Sequence, residues 1–358
     1  MRKQLFGLTM SALGATLGLA MALAPAAAPA QQPSATAAAK PWYKQPFDPR
    51  RVQPCDRACL VDFGTQFLRA MERKTPTALP LAQEVFVTEN TGHMALGEGV
   101  LWRADIEHTG YRIDVADPLL GELVMQLVYM VEGKPAMVAI RLKIDRRMIT
   151  EVEQLIDRNV APQAMELLAR PRPTLLADVP AAQRDSREML NYVAHSYFDA
   201  LTGEDGRIAA FAPDCVRYEQ GYQTVANKTP GRASPSPQLP DTSTEMGRIF
   251  SRLSTMTCEE QVSTGIFVGM KKIWPRRMVI DEQKGLVAVL PLFVHDGTKR
   301  PAKPGSIGAD RPGIAMVLNL VTVETFGIRG GQIHEVEAFP FVTLPYGLGD
   351  GWTPATGR

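Results

Sequence analysis

The chain has 358 residues, and its 39 basic and 38 acidic side chains nearly cancel. No long basic run interleaved with aromatic residues occurs, so nucleic acid is not expected as a partner. The length exceeds that of one ordinary domain, which predicts more than one folding unit.

The N-terminus has the pattern of a signal peptide. Arg2 and Lys3 precede a nearly charge-free apolar run, and Ala28-Pro29-Ala30 supplies a small-residue cleavage pattern. A membrane anchor is the alternative, but the polar residues that follow Ala30 favour cleavage. We therefore expect a signal peptide at 1–30, an extended leader at 31–54, a periplasmic or secreted product, and no stable membrane insertion after cleavage.

Four cysteines in an exported chain favour disulfides over metal ligands. Three connectivities are open, and the spacing favours Cys55 with Cys59 and Cys215 with Cys258. The first bond would clamp the start of a helix, and the second would tie a strand to a later helix.

The elements of a first half, residues 55–160, follow in chain order. An amphipathic helix comes first, then a strand at Val85–Asn90, then a hairpin marked by Asp117 and Gly121. The half closes on Ile149–Glu153. The helix presents one apolar face, made of Leu60, Phe63, Phe67, Leu68 and Met71.

The same elements recur in the same order in a second half, residues 184–346. A helix that starts at Asp185, with Glu188 completing a capping box, precedes a strand at Cys215–Gln220. Asp281 and Gly285 mark the matching hairpin, and Ile333–Glu337 repeats the closing pattern I-x-E-V-E. The second helix presents Met189, Val193, Tyr197 and Leu201.

Other segments lie outside the repeat. A connecting helix and a proline-rich linker are expected at 161–183, and a tail at 347–358. Two inserts interrupt the second half, one at 224–244, rich in Pro, Ser and Thr, and one at 298–312. The inserts are either surface decoration or a lid over a pocket.

Short motifs in both halves resemble an exported bacterial and fungal family of unassigned function. They are Cys55–Leu60, Thr88–Asn90, Leu96–Gly99, Arg141–Lys143, Asp214–Glu219 and Phe293–His295. That family carries tandem nuclear-transport-factor-2-like domains, the fold of ketosteroid isomerases and polyketide cyclases. The resemblance implies an α+β fold with two tandem cone-shaped domains, each with N-terminal helices packed in a curved antiparallel sheet. Gln220 departs from the pattern, where Asn is expected.

A cone of this kind implies a mostly apolar cavity, in which burial raises the pKa of a carboxyl group toward neutrality. Strand alternation places Glu89 and Glu153 in line with core-facing residues, and the second half repeats them as Glu219 and Glu337. Because both halves keep these carboxylates, a structural role is as well supported as a catalytic one.

Residues found in only one half are better indicators of chemistry. As catalytic candidates in the second half we expect Tyr218, Tyr222, His295 and His334 beside the carboxylates. For substrate binding we expect Tyr192, His195, Trp102, Arg103, His108 and Tyr111. The histidines have no metal-site spacing, and no nucleotide or serine-hydrolase motif occurs, so we expect neither metal nor cofactor.

These features predict a cofactor-independent lyase or isomerase that acts by general acid/base catalysis on a small, largely apolar molecule, aromatic or terpenoid. The alternative is a non-catalytic binding or assembly module of the periplasm, whose two copies could pair as an intramolecular pseudo-dimer. A third possibility is a divided protein in which the second half works and the first is scaffold.

Overall fold

The computed structural model describes residues 55–160, 162–228, 243, 245–267, 270, 272–297 and 317–352. The expected signal peptide, the leader and the whole insert at 298–312 lie outside the described residues. Most of the insert at 224–244 lies outside them as well. The expected alternative, a lid formed by these inserts, therefore also falls outside the described residues.

The first half is an α+β unit with one six-stranded sheet, in the order β2-β1-β6-β5-β4-β3. Its helices are α1 (Arg57–Glu72) and α2 (Val100–Arg103). Its strands are β1 (Leu81–Glu89), β2 (Gly92–His93), β3 (Ile106–Asp117), β4 (Glu122–Val131), β5 (Lys134–Asp145) and β6 (Met148–Asp157).

Two short helices, α3 (Pro162–Leu167) and α4 (Pro173–Leu176), connect the halves. The second half has the helices α5 (Arg187–Gly203), α6 (Glu245–Ser254) and α7 (Cys258–Ser263). Its strands are β7 (Phe211–Glu219), β8 (Tyr222–Val225), β9 (Lys272–Asp281), β10 (Leu286–Asp296), β11 (Val317–Val321), β12 (Glu324–Arg329), β13 (Gln332–Ala338) and β14 (Val342–Pro345).

The second sheet has the order β14-β11-β10-β12-β13-β7-β8, with β9 paired to β10. Each half thus forms a cone-shaped unit in which a long N-terminal helix packs into a curved sheet. The sheets are antiparallel except for one pair in each, because β1 runs parallel to β6 and β7 runs parallel to β13. The sequence analysis did not predict these parallel pairs.

The long helices begin at capped residues and bury the faces that their sequences indicate. Asp56 caps α1 by accepting the N–H of Cys59, and all five apolar residues expected on its inner face are buried. The expected start of α5 was one residue early, because Ser186 is its N-cap and accepts the N–H of Met189. Met189 itself is 44% exposed, so its expected place in the core was wrong.

A one-residue bulge in each sheet places the last residues of each closing motif on the face opposite to the expected one. Lys143 pairs with Glu151 but Ile144 pairs with Ile149, so Thr150 is the extra residue. In the second half His334 is the extra residue, between Ile333 and Glu335. Because side chains alternate along a strand, a bulge moves every later residue to the opposite face. Glu153 and Glu337 therefore do not share a face with the isoleucine that opens each motif, which corrects the expectation from simple alternation.

Both expected disulfides form. Cys55 is bonded to Cys59 at the start of α1, and Cys215 in β7 is bonded to Cys258 at the start of α7. Among the described residues no helix is long and apolar enough to cross a membrane.

The two sheets share an apolar core through the faces that point away from the long helices. Ile113, Val124 and Val128 of the first sheet belong to one buried cluster with Leu286 and Leu290 of the second. Two further cores lie between each sheet and its own long helix. The described residues therefore pack in three apolar layers, of which the middle one joins the halves.

A pair of reciprocal contacts, here called the aspartate clamps, closes this middle layer. Asp117, at the end of β3, is fully buried and accepts the N–H of Ile280 from the second half at 3.1 Å. Arg187, the first residue of α5, donates hydrogen bonds to the same carboxylate from both of its terminal nitrogens, at 2.9 and 2.6 Å.

The second clamp repeats the first with the halves exchanged. Asp281, at the end of β9, accepts the N–H of Ala116 at 3.2 Å and the Nε–H of Arg57 at 2.8 Å. Arg57 is the first residue of α1, as Arg187 is of α5. The two halves are thus related by an approximate two-fold arrangement in which each helix start is bonded to the other half's hairpin.

The expected C-terminal tail packs onto the first half at its described residues. The indole N–H of Trp352 donates to Thr88 at 2.9 Å, and its ring lies 4.5 Å from the Arg141 guanidinium. Asp350 is buried and lies 3.2 Å from Nε of Arg276.

We expect the substitution Asp117→Ala or Asp281→Ala to lower the free energy of unfolding by about 2–4 kcal/mol, because each removes the acceptor of a partly buried arginine and of a buried N–H. Urea denaturation measures the change. Asp145→Ala is the control, because its pair with Arg146 is more than half exposed and should be worth less than about 0.5 kcal/mol. Equal effects at Asp117 and Asp145 would contradict a structural role for the clamp.

The two disulfides should differ in their contribution to stability, because they close loops of different length. Their sequence separations are 43 and 4 residues, for which loop-closure entropy gives about 4 and about 2 kcal/mol. Chemical denaturation of Cys215→Ala/Cys258→Ala and of Cys55→Ala/Cys59→Ala measures both. A larger loss for the shorter loop would count against this account.

Candidate functional site

The interior of the second half holds a cluster of polar side chains, here called the inner cluster: Tyr197, Arg217, Glu219 and Glu324. Tyr197 comes from the inner face of α5 and Arg217 and Glu219 from β7. Glu324 opens β12, and alternation places it on the same face as Phe326 and Ile328, which pack against α5. Ala338 pairs with both Glu324 and Glu219, so the two carboxylates lie on neighbouring positions across the sheet.

Glu324 is the chemically unusual member of the inner cluster. It is 5% exposed, and its buried Oε2 atom has no hydrogen-bond partner among the described residues. Burial raises its pKa to about 8, while the nearby Arg217 lowers the pKa and Glu219 raises it. A carboxyl group in this state holds its proton at neutral pH and can donate a hydrogen bond.

Arg217 organises the groups around this carboxyl. Its guanidinium donates to the hydroxyl oxygens of Thr224 at 3.2 Å and Tyr197 at 3.4 Å, and lies 2.8 Å from Glu219. Burial opposes the charge of Arg217, but Glu219 and the other acidic neighbours more than offset this, so its pKa is raised. Burial likewise raises the pKa of Tyr197, which keeps its proton. When Glu324 is protonated, the positive charge of Arg217 and the negative charge of Glu219 balance within the inner cluster.

A narrow cleft, too tight to admit a water molecule, adjoins the inner cluster. Tyr197 and Arg217 line it on the polar side. The remaining lining residues are Phe211, Val225, Cys258, Val262 and Val336. The Cys215–Cys258 disulfide fixes α7 to β7 beside this space.

In the first half Glu89 takes a capping role. Its Oε1 accepts the N–H of Val100 at 3.0 Å, at the start of α2. Burial raises the pKa of Glu89, and the N–H groups of Val100 and Leu101 oppose that rise. A Cβ at Gly99 would lie 2.2 Å from Glu89 Oε2, so any side chain there would displace this carboxylate.

A shallower polar group in the first half includes His108. Its ring lies 5.0 Å from that of Tyr129, whose hydroxyl donates to the exposed Glu72 at 3.1 Å. Burial lowers the pKa of His108, against the opposing effect of Glu72, and its Nε2 has no hydrogen-bond partner among the described residues. The imidazole is therefore neutral at pH 7.

Glu153 and Glu337 lie between the sheets in ion-pair networks. Glu153 contacts Arg141 at 3.2 Å and reaches Arg276 of the second half at 2.5 Å. Glu337 contacts Arg172 from the linker and accepts a hydrogen bond from Tyr111 of the first half at 3.4 Å. Both carboxylates are neutralised by a buried or half-buried arginine, which gives them a role in joining the halves.

The structure separates the other expected second-half residues from the inner cluster. Tyr218 lies under the Arg172 guanidinium at 3.6 Å, and Tyr222 is buried in the layer between the sheets. His334 bonds to the exposed Asp214 at 2.7 Å. His295 is buried with a lowered pKa, but lies six residues beyond Val289, the strand partner of Glu324, or roughly 20 Å along β10.

The remaining expected binding residues do not converge either. Tyr192 is 68% exposed and His195 is exposed on the outer face of α5. Trp102 is buried against Phe67 in the first core, and Arg103 is an exposed partner of Glu98. The described residues contain no group of three His, Cys, Asp or Glu side chains that could hold a metal ion.

The sequence indicates Glu219 as a candidate, but not Glu324 or Arg217. The signal for Glu324 is a carboxylate two residues before Phe326 and four before Ile328, a charged residue within an apolar alternation. Because Glu324 is not one of the carboxylates that the two halves share, the repeat does not indicate it.

One family model matches part of the chain. Residues 183–340 match a family described as a domain of unknown function, DUF8021. No curated protein sequence matches the chain.

Solved structures are similar to parts of the chain. An NTF2-like protein of unknown function from Cytophaga hutchinsonii is 12% identical over 27% of this chain and 89% of its own, with a TM-score of 0.23. The putative hydroxylase AclR from Streptomyces galilaeus is 11% identical over 45% and 81%, with a TM-score of 0.26. A protein with a cystatin-like fold from Methylobium petroleophilum is 16% identical over 46% and 90%, with a TM-score of 0.24.

The raised pKa of Glu324 predicts a specific pH dependence of stability. The folded chain keeps this proton up to about pH 8, whereas the unfolded chain releases it near the ordinary value of 4.5. The contribution of Glu324 is therefore fully present below pH 4.5 and is lost as the pH rises to 8, by up to about 1.4 kcal/mol per pH unit.

The measurement is urea denaturation of the wild type and of Glu324→Gln between pH 4.5 and 9. The wild type should lose stability relative to the variant up to about pH 8 and hold a constant difference above it. A difference that does not change with pH would show that Glu324 has an ordinary pKa.

Proposed function

We propose that the chain is a cofactor-independent lyase or isomerase whose site is the interior of its second half. The observation that supports this is Glu324, a buried carboxyl with a pKa raised to about 8 and one oxygen that no described residue bonds. A group with a pKa near the working pH can both give and take a proton, which is the requirement for general acid/base catalysis.

The other members of the inner cluster have complementary roles in this proposal. The Tyr197 hydroxyl and the Arg217 guanidinium lie on one wall of the cleft, where they would stabilise negative charge that develops on a substrate oxygen. Glu219 holds Arg217 in place through their 2.8 Å contact. Proton transfer by Glu324 and charge stabilisation by Tyr197 and Arg217 together suffice for an elimination or a proton shift.

The lining of the cleft favours a small, largely apolar substrate, aromatic or terpenoid. Because the cleft is too tight for a water molecule in this structure, binding requires it to widen. Five of the seven lining residues are apolar.

The setting of this site is proposed to be periplasmic or extracellular. Two disulfides, which use all four cysteines of the chain, support an oxidising compartment. The signal peptide expected at 1–30 would provide the route.

A second candidate is a non-catalytic binding and assembly module. The observation that favours it is the middle apolar layer with its reciprocal clamps, because the two halves of one chain contact each other there as the two subunits of a dimer would. In that function the inner cluster would bind a ligand without changing it.

The test is a screen of aromatic and terpenoid metabolites against residues 31–358, with thermal shift to detect binding and mass spectrometry to detect conversion. For a converted ligand, Glu324→Gln should lower kcat by about 10²–10⁴. Glu132→Gln is the control, since Glu132 is an exposed ion-pair partner of Arg158, and it should retain full activity. A bound ligand that is never converted would support the binding module and contradict the enzyme.

A further inference from the structure

Each half receives a segment of chain from the other half at the same place on its sheet. The place is defined by strand pairing, since Thr88 pairs with Glu153 in the first sheet as Tyr218 pairs with Glu337 in the second. After the last strand of the first half, the linker reaches the second sheet, where Arg172 lies 3.6 Å over the Tyr218 ring. After the last strand of the second half, the C-terminal segment reaches the first sheet, where its indole N–H donates to Thr88 at 2.9 Å.

The place on the first sheet, here called the tail site, is formed by Phe86, Thr88, Thr91, Arg141 and Arg276. Its anchor is the side chain of Trp352. The indole ring lies 4.4 Å from the Phe86 ring and 4.5 Å from the Arg141 guanidinium. Thr88 and Arg141 are themselves buried. A tryptophan with one polar and several ring contacts is the kind of residue that dominates binding at protein interfaces.

Three successive residues of the C-terminal segment each meet a different requirement of the tail site. Asp350 is 1% exposed; one of its oxygens lies 3.2 Å from Nε of Arg276, and the other accepts the N–H of Trp352 at 2.9 Å. Gly351 has a φ of 77°, and a Cβ there would lie 2.4 Å from the carbonyl oxygen of Thr91. The tail site therefore fits a carboxylate, a residue without a side chain and an indole, in that order.

The equivalent place on the second sheet fits a segment of opposite charge. There Arg172 of the linker pairs with Glu335 and Glu337, so an acidic side chain in its place would meet two carboxylates. In the tail site, an arginine in place of the indole would lie beside the guanidinium groups of Arg141 and Arg276. Like-charge contacts of this kind exclude the wrong segment, so each place accepts its own segment and not the other.

We propose that the tail site is a peptide-binding site for the succession aspartate, glycine, tryptophan, and that residues 350–352 are its internal ligand. The inference does not depend on the proposed catalytic site, which lies in the interior of the second half. A ligand within the same chain has an effective concentration in the millimolar range. A free peptide of the same chemistry therefore binds well only when the internal ligand is weakened.

The experiment weakens the internal ligand in the full chain in two independent ways. Trp352→Ala removes the anchor, and Gly351→Ala keeps both side chains but adds the Cβ that the tail site cannot accommodate. The probe is the acetylated and amidated pentapeptide of residues 348–352, Leu-Gly-Asp-Gly-Trp. Calorimetric titration should show binding to both variants, with a rise in their Tm by mass action. Binding to the wild type should be at least about tenfold weaker, because its tail site is occupied.

The matched controls are one variant and one peptide. Tyr346→Ala changes the same segment at a side chain that is 46% exposed, and it should behave as the wild type. The peptide Leu-Gly-Asp-Ala-Trp should bind the two weakened variants about tenfold more weakly than the glycine peptide, because the left-handed backbone is unfavourable for alanine.

Three results would overturn the inference. Equal affinity for the wild type and the weakened variants would place the peptide elsewhere on the chain. Equal affinity for the glycine and alanine peptides would show that the tail site does not select the segment. No binding to either variant would make residues 350–352 an ordinary packing contact.

Discussion

The aspartate clamps are the constraint on which the arrangement of the two halves depends. A carboxylate as deeply buried as Asp117 or Asp281 requires compensation, and each finds it in an arginine at the start of a helix and an N–H group from the other half. The clamps fix the two hairpins against each other, and the apolar residues between the sheets complete the joint. The outer faces of both sheets are thereby used within the chain.

Because this joint fills the space between the sheets, the places left for a ligand are the two interiors, each between a sheet and its long helix. The two interiors differ in their polar side chains. In the first, Glu89 caps a short helix and the fully buried amide of Gln154 lies against Met71 among apolar side chains. In the second, Arg217 holds Glu219 and Tyr197 beside a protonated Glu324. The second interior thus contains a cluster of charged and titratable side chains, whereas the fully buried polar side chain of the first is an uncharged amide.

The sequence predicts the repeated order of elements, the inner face of α1, that of α5 apart from Met189, and the pairing of the cysteines, because these depend on local spacing. It does not predict the facing of Glu153 and Glu337, since a single bulge at Thr150 or His334 reverses it. Asp117 and Asp281 look like turn residues, and each does accept N–H groups of its own turn. Their arginine partners, 70 and 224 residues away, leave no local signal. Gln220 departs from the expected Asn for a similar reason: Asn90 bonds within its own half, to Ile156, whereas the longer Gln220 side chain reaches Asp157 of the first half at 2.6 Å.

The central claim, that the second half contains a protonated carboxyl poised for proton transfer, is tested most directly by the titration of Glu324 itself. Carbon-13 NMR of side-chain carboxyl groups, with Glu324→Gln to assign the signal, gives the pKa in the folded protein. The account predicts a midpoint near 8 and a protonated group at pH 7. A midpoint at or below the ordinary value of 4.5 would show an ionised, structural carboxylate and would contradict the claim.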